Sequence, residues 1–183
     1  MQAGTLVLVS GPAGAGKSSV ARQLAQTSAR ERAVHLHTDD FYAAIVKGFI
    51  DPTLPAAHSQ NTVVVEAFAA SARRFAEDGF EVVVDGVVGP WFLDRWQTLA
   101  RAGFDVHYIV LRPDQPTTLA RATSRTTPNA LTDPRAINQI YQALANLGPF
   151  EHHALDTTTL SLEATVTRVR AAVNSRTHVL ATA

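Results

Sequence analysis

Residues 11–18 read GPAGAGKS and directly follow the apolar run TLVLVS. The eight residues match the phosphate-binding loop pattern G-x-x-x-x-G-K-[ST]. The chain contains only two lysines, Lys17 and Lys47, and one of them stands where the pattern requires it. A β-branched strand pattern precedes the loop and a helical pattern follows it, which is the context that this motif needs. The four fixed positions are occupied by Gly11, Gly16, Lys17 and Ser18.

The residue types of this loop suit a triphosphate. Glycines permit backbone conformations closed to other residues, so that successive N–H groups point toward one anion, and the following helix adds its positive end. Lys17 is expected to lie against the β- and γ-phosphates of ATP, and the Ser18 hydroxyl to ligate Mg²⁺. A glycine-rich turn that binds nothing is the alternative, but such a turn does not require Lys17 and Ser18. The residues predicted to bind the nucleotide are Gly11, Ala13, Gly14, Ala15, Gly16, Lys17, Ser18 and Ser19.

Composition narrows the classes of function. The 183 residues favour a single domain, and an apolar share of 46% argues against disorder. Sixteen basic and sixteen acidic residues cancel without a cluster of positive charge, so no nucleic-acid surface is predicted. The absence of cysteine excludes thiol catalysis and cysteine-ligated zinc, and the scattered histidines, which form no H-E-x-x-H pattern, are expected to be strand or surface residues. No membrane span and no signal peptide are predicted, so we expect a cytoplasmic protein.

Strand and helix patterns alternate along the chain. Strands separated by helices predict a parallel sheet covered on both faces. A helical pattern begins at Pro90 and runs to about Ala102, and the C-terminal residues 175–183 are expected to be frayed. The predicted strands cover residues 5–10, 33–37, 80–84, 104–111 and 153–155, and the other predicted helices cover residues 17–29, 59–77, 115–122, 134–147 and 162–173.

Two adjacent aspartates follow the second predicted strand, in the sequence HTDDFY. The carboxyl edge of an open parallel sheet is where ligands bind, and a carboxylate there can accept the proton of an attacking hydroxyl. We favour Asp39 as this base. Asp40 is the better candidate for capping the next helix, a position that aspartate prefers, although the sequence leaves the assignment between the two open.

A further aspartate ends the third predicted strand, in the sequence VVVDG. Beside a phosphate-binding loop, an acid at the end of an apolar strand would hold Mg²⁺ through water or orient Ser18. An ordinary turn aspartate before Gly86 is the alternative. We predict that Asp85 and Ser18 form the metal site.

Arginines flank a polar stretch that begins at Thr123. Phosphoryl transfer spreads charge over oxygens, and arginine stabilises this charge from a mobile segment. Arg125 is predicted to act on the phosphates and Arg121 on the adenine, because a guanidinium suits either partner. Their i, i+4 spacing places both on one face of a helix, and two solvated helix arginines are the alternative. The aromatic residues after Pro90 are interpreted as core or, alternatively, as the lining of an acceptor pocket: Trp91, Phe92 and Trp96.

Together these segments resemble the small P-loop kinases of the nucleoside-monophosphate-kinase type. The stretch TDDFY is similar to the stretch of uridine kinases in which an aspartate is the base, which corresponds to Asp39, and VVVDGVVGPWFLDRW is similar to chloramphenicol-phosphotransferase-like and zeta-toxin-like kinases. The resemblance covers roughly residues 5–173. It implies a three-layer α/β P-loop NTPase fold, a five-stranded parallel sheet flanked by helices, and a lid segment near residues 121–133 within one domain spanning residues 1–183.

The resemblance favours an ATP-dependent kinase that phosphorylates a hydroxyl of a small molecule, such as an antibiotic, a sugar, a nucleoside or a metabolite. The paired arginines that mark a nucleoside monophosphate acceptor are absent from the acceptor region, so the acceptor itself is not predicted, and neither is the oligomeric state. The alternative is an ATP-gated binding or regulatory module with little turnover. The carboxylates of TDDFY favour the kinase, because a sensor has no use for a hydroxyl base.

Overall fold

A computed structural model describes residues 4–126 and 130–180. Short 3-10 helices at Pro55–Ala57, Pro90–Phe92 and Gly148–His153 accompany the main elements. The strands of the described residues are β1 Thr5–Ser10, β2 Ala33–His37, β3 Glu81–Asp85, β4 Asp105–Leu111 and β5 Ala154–Leu155. The α-helices are α1 Lys17–Gln26, α2 Thr38–Ala43, α3 His58–Glu77, α4 Asp94–Arg101, α5 Gln115–Thr123, α6 Pro134–Ala143 and α7 Leu162–Asn174.

The five strands form one parallel sheet in the order β2-β3-β1-β4-β5. This confirms the predicted α/β fold of a P-loop NTPase. The apolar runs of β1 and β3 are continuous because helices cover both faces of the sheet. Successive side chains of β1 therefore enter different cores: Leu8 packs with α3 and α4, whereas Val9 packs with α1 and α7.

The helical pattern from Pro90 to Ala102 does not form one helix. Pro90–Phe92 is a 3-10 turn and α4 begins only at Asp94. The break separates two tryptophans that the sequence pattern assigned to one helix. Trp96 lies on α4 and is fully buried, whereas Trp91 precedes the helix and is 50% exposed.

The expectation of a frayed C-terminal segment is wrong for its described part, residues 175–180. The backbone N–H of Tyr108 donates to the His178 carbonyl at 2.9 Å, and the N–H of Leu180 donates to the Val106 carbonyl at 2.8 Å. Strand β5 pairs only with the last two residues of β4, so the segment satisfies backbone groups that would otherwise lie open along this edge. Residues 181–183 lie outside the described part. No helix of the described residues is long and apolar enough to cross a bilayer.

Because a histidine is buried beneath this segment, we expect acid to destabilise the fold. The His153 ring is 1% exposed and its Nδ1 donates to the Tyr108 carbonyl at 2.8 Å. Burial, helped by the neighbouring His152 and His178, lowers the pKa of His153 to about 4. Its stabilising effect is therefore complete above the unfolded-state pKa of about 6.5 and is lost as the pH falls toward 4.

We expect the free energy of unfolding to fall by about 2 to 3 kcal/mol from this residue between pH 7 and pH 4. Urea denaturation of the wild type and of His153→Asn at several pH values measures the contribution. The asparagine amide retains a donor for the Tyr108 carbonyl but does not titrate. Equal acid sensitivity of the two proteins would contradict the prediction.

Candidate active site

The phosphate-binding loop lies at the carboxyl edge of the sheet, between β1 and α1. Two of its glycines are required for different reasons. Gly14 has a φ of +89°, and a Cβ there would lie 2.3 Å from the Thr118 carbonyl oxygen of α5. Gly16 has a φ of +86° with open space around it, so its requirement is one of backbone conformation. The loop is therefore packed against α5 and enters α1 through a left-handed residue.

Lys17 begins α1 and is 8% exposed. Its Nζ donates to the Pro12 carbonyl at 3.0 Å, which places the ammonium group inside the loop. Burial lowers the pKa of Lys17 to about 8, an effect that Asp85 opposes and Arg125 reinforces. A buried cation whose hydrogen-bond acceptor is a neutral carbonyl gains strongly from an incoming anion.

Asp85 ends β3 and is fully buried. Its Oδ2 accepts a hydrogen bond from the Ser18 hydroxyl at 2.7 Å and another from His37 Nδ1 at 3.1 Å, and its Oδ1 lies 2.5 Å from His35 Nε2. Burial alone would raise the pKa of Asp85, but these donors together hold it well below its usual range. The carboxylate is therefore ionised and fixed against the first turn of α1.

Asp39 lies in the first turn of α2 and its side chain is 78% exposed. Its Oδ2 is 3.3 Å from His37 Nε2, so the His37 ring bridges Asp39 and Asp85. The two carboxylates, Asp39 first, raise the pKa of His37 to about 10, which corresponds to an imidazolium that donates from both nitrogens. His37, and to a smaller extent Lys17, lowers the pKa of Asp39. Asp39 is thus an exposed carboxylate within electrostatic reach of the phosphate-binding loop.

The neighbouring Asp40 does not cap α2, contrary to the expectation. The N-cap residue is His37, and no side chain caps this helix. Asp40 is an exposed residue within the first turn. The start of α2 is fixed instead by Thr38, whose hydroxyl donates to the Asp85 carbonyl oxygen at 2.7 Å. A Cβ at Gly86 would collide with this hydroxyl at 1.9 Å, so Gly86 allows α2 to approach the end of β3.

The two arginines of the predicted lid separate where α5 ends. Helix α5 stops at Thr123, so Arg125 lies beyond it and does not share its face with Arg121. The Arg121 guanidinium donates to the Thr158 carbonyl at 3.2 Å, in the segment after β5. Arg125 is exposed and contributes to lowering the pKa of Lys17. Part of the predicted lid, residues 127–129, lies outside the described residues.

The histidines that contact Asp85 were not predicted to belong to the site. His35 and His37 alternate along β2 and therefore point to the same face. Strands β2 and β3 are neighbours, with His37 in register with Asp85. The i, i+2 spacing of two histidines on a strand that leads into TDDFY was the available signal. This spacing points to Asp85 only when β2 is known to lie beside β3, and the sequence alone does not give the strand order.

A family model described as AAA domain matches residues 6–149. The match covers most of the chain and includes the phosphate-binding loop, Asp39, Asp85 and both arginines of the predicted lid. The chain belongs to this family. No curated protein is detectably similar in sequence to this chain.

Solved structures share the fold over almost the whole chain. APE1195 aligns with a TM-score of 0.71 at 19% identity, covering 97% of this chain and 99% of its own. The APS kinase CysC of Mycobacterium tuberculosis, in complex with AMPPNP and APS, aligns at 0.68 and 17% identity, covering 95% and 99%. A gluconokinase from Sinorhizobium meliloti aligns at 0.65 and 17% identity, covering 96% and 94%. The AAA domain described here therefore has the fold of small P-loop kinases.

Proposed function

We propose that this protein is an ATP-dependent phosphotransferase that transfers the γ-phosphate to a hydroxyl of a small molecule. The single observation that carries the proposal is the exposed Asp39 carboxylate, joined through His37 to the Ser18–Asp85 pair beside the phosphate-binding loop. A nucleotide-gated module has no use for such a base, and we do not favour that alternative. The kinase fold of the structural relatives supports the same proposal.

The nucleotide would be held from two sides. Backbone N–H groups of the loop after Pro12, from Ala13 to Ser19, and the first turn of α1 would bind the phosphates. Lys17 would lie against the β- and γ-phosphates, and the Ser19 hydroxyl would bind the α-phosphate. Arg121 would lie by the adenine, near Thr158, and Arg125 would stabilise charge on the transferring group.

The Ser18 hydroxyl and the Asp85 carboxylate fit Mg²⁺, because both offer the oxygen donors that this cation prefers and lie 2.7 Å apart at the start of α1. Ser18 would bind the ion directly, and Asp85 would hold it through water. When bound, Mg²⁺ neutralises developing charge on the phosphate oxygens. His35 and His37 fix the Asp85 carboxylate by hydrogen bonds to its two oxygens.

Asp39 would act as the general base. Its lowered pKa keeps the carboxylate ionised at neutral pH, so that it can accept the proton of the acceptor hydroxyl. The hydroxyl oxygen then forms its bond to the γ-phosphorus while the bond from that phosphorus to the β,γ-bridging oxygen breaks. The products are a phosphate monoester and ADP, and the proton remains on Asp39 until it is released to water.

The direct test is incubation of the purified protein with γ-labelled ATP, Mg²⁺ and a broad panel of hydroxyl compounds, with calorimetric measurement of Mg·ATP binding alongside. We expect saturable nucleotide binding and label on at least one alcohol. A folded protein that binds Mg·ATP and labels no alcohol would refute the transfer, and one that binds no nucleotide would refute the whole proposal.

Replacing Ser18 by alanine should selectively remove the effect of Mg²⁺ on nucleotide affinity. The substitution deletes the hydroxyl that would bind the ion, so we expect the gain in ATP affinity on adding Mg²⁺ to shrink roughly tenfold. Ser19→Ala is the matched control, because its loss should weaken ATP equally with Mg²⁺ and with EDTA. A Ser18→Ala variant that retains the full gain would argue against this metal site.

A further inference from the structure

The exposed apolar side chains of this protein are concentrated on one half of the catalytic edge. Among the described residues, eight large hydrophobic side chains are exposed, and six of them belong to two segments. One segment follows α2 and the other follows β3, and β2 and β3 are neighbours at one side of the sheet. This is the side on which Asp39 lies, away from the lid arginines after β4. The six residues are Val46, Phe49, Leu54, Val63, Val87 and Trp91.

Apart from the His37 ring, which is already paired with Asp39 and Asp85, and Arg95, which is paired with Glu66, the same half carries almost no positive charge. Residues 38–63 contain one lysine, the exposed Lys47, against three aspartates, and residues 86–93 contain no charged residue. Arginine is absent from both segments, whereas Arg121 and Arg125 belong to the nucleotide half. A phosphate, sulfate or carboxylate group on the acceptor would therefore meet carboxylates without a guanidinium to bind it.

Trp91 is held as a rigid surface. Its indole lies against the backbone of Gly89, where a Cβ would be 2.3 Å from the ring. Val88, which precedes Gly89, makes two hydrogen bonds to the Ser10 hydroxyl. Its backbone N–H donates to the hydroxyl oxygen at 3.0 Å, and the hydroxyl donates to its carbonyl at 2.8 Å. Ser10 directly precedes the phosphate-binding loop. The half-exposed ring is thus fixed to the same framework that would position the γ-phosphate.

The segment that follows α2 is also ordered. Tyr42 donates to Asn61 Oδ1 at 3.1 Å, and the Asn61 amide donates to the Pro52 carbonyl at 2.9 Å. Gln60 bonds both backbone groups of Ile50, at 2.8 and 2.7 Å. Burial and the charge of Asp39 raise the pKa of Tyr42 to about 12, so the phenol is neutral and near that carboxylate. These hydrogen bonds fix the loop that carries the exposed apolar side chains of this segment.

The apolar surface continues into a groove of about 390 Å³ between α2 and α3, which is lined largely by Phe41, Ala44, Ile45, Val63, Val64 and Ala67.

From this arrangement we infer that the phosphate acceptor is an uncharged, largely apolar alcohol whose apolar part packs against Trp91. The inference rests on the proposed phosphotransferase function. An apolar acceptor gains by covering the exposed side chains of this half, and the indole offers a flat, preformed contact. An anionic acceptor would be repelled by Asp39, Asp40 and Asp51.

The test compares matched pairs of alcohols that differ by one charge, such as 2-phenylethanol and 4-(2-hydroxyethyl)benzoate. We expect the neutral member of each pair to be phosphorylated with a kcat/KM at least about tenfold higher. Trp91→Ala should raise the KM for the neutral alcohol about tenfold and leave the affinity for Mg·ATP unchanged. Phe75→Ala, which removes an exposed aromatic ring near the far end of α3, is the matched control and should change neither constant.

Binding can also be followed without turnover. The chain has two tryptophans, and Trp96 is buried. The neutral alcohol should change the fluorescence of the wild type bound to a non-hydrolysable ATP analogue, but not that of Trp91→Ala. A preference for the anionic alcohols, no preference, no binding of either kind, or an unchanged KM in Trp91→Ala would overturn the inference. A wild type that fails to bind Mg·ATP would instead refute the proposed function.

Discussion

Replacing Asp39 by asparagine should lower kcat by about 100- to 10,000-fold, the usual contribution of a general base. The amide has nearly the shape of the carboxylate but cannot accept the proton of the acceptor hydroxyl. Because Asp39 lies at the start of α2 and not in the phosphate-binding loop, the affinity for Mg·ATP should remain within about twofold of the wild type. Steady-state kinetics with a labelled acceptor and calorimetry with Mg·ATP give the two numbers.

Asp40→Asn provides the matched control. Asp40 is also exposed, lies in the same turn of α2, and makes no side-chain hydrogen bond to the helix start. Its replacement should leave kcat nearly unchanged. A larger loss of kcat in Asp40→Asn than in Asp39→Asn would transfer the role of base to Asp40. A wild-type kcat in both variants would remove an aspartate base from the mechanism.

Replacing Lys17 by alanine should abolish measurable turnover, with a loss of about 100-fold or more, and should strongly weaken nucleotide binding. The substitution removes the only lysine of the loop and leaves the Pro12 carbonyl without its ammonium donor. Folding should not suffer, because a buried cation is costly in the absence of a phosphate. Nucleotide titration and thermal unfolding, each measured on the same preparation, separate binding from stability.

The only other lysine serves as the control for this experiment. Lys47 is exposed, in the segment after α2, so Lys47→Ala has the same change of charge without a change in the loop. We expect wild-type nucleotide affinity and turnover in this variant. Unchanged activity in Lys17→Ala would exclude Lys17 from the mechanism.

The sequence predicted the fold well because its signals were local. An apolar strand, a glycine-rich turn and a helix are fixed by neighbouring residues, and the alternation of such units determines a parallel sheet. The C-terminal segment was mispredicted for a non-local reason. Its hydrogen bonds to Val106 and Tyr108 use a stretch of β4 that β5 leaves unpaired.

In the candidate site, too, local sequence patterns were predicted and contacts between distant strands were not. Lys17 and Ser18 were predicted from the phosphate-loop pattern and Asp85 from its place at the end of an apolar strand. The structure brings the Ser18 hydroxyl within 2.7 Å of the Asp85 carboxylate, and the roles of the three residues stay predictions. The contacts of His35 and His37 with Asp85 depend on β2 lying beside β3. The strand order is a tertiary property, so no spacing of residues along the chain reveals these contacts.

The aromatic residues after Pro90 were also ambiguous for a physical reason. The pattern assigned Trp91, Phe92 and Trp96 to one helix, but the chain forms a 3-10 turn before α4. Trp96 enters the core, Phe92 is partly buried against it, and Trp91 turns back over Gly89. Trp96 and Phe92 thus belong to the core and Trp91 does not, and a place for Trp91 in an acceptor pocket stays a proposal.

Binding of the magnesium nucleotide by the loop from Gly11 to Ser19 is the claim on which every proposed role depends. Calorimetric titration of Mg·ATP into the folded wild-type protein measures it most directly. We predict saturable binding of one nucleotide per chain, lost in Lys17→Ala and retained in Lys47→Ala. A wild-type protein that unfolds cooperatively yet gives no heat of binding at millimolar Mg·ATP would contradict the account.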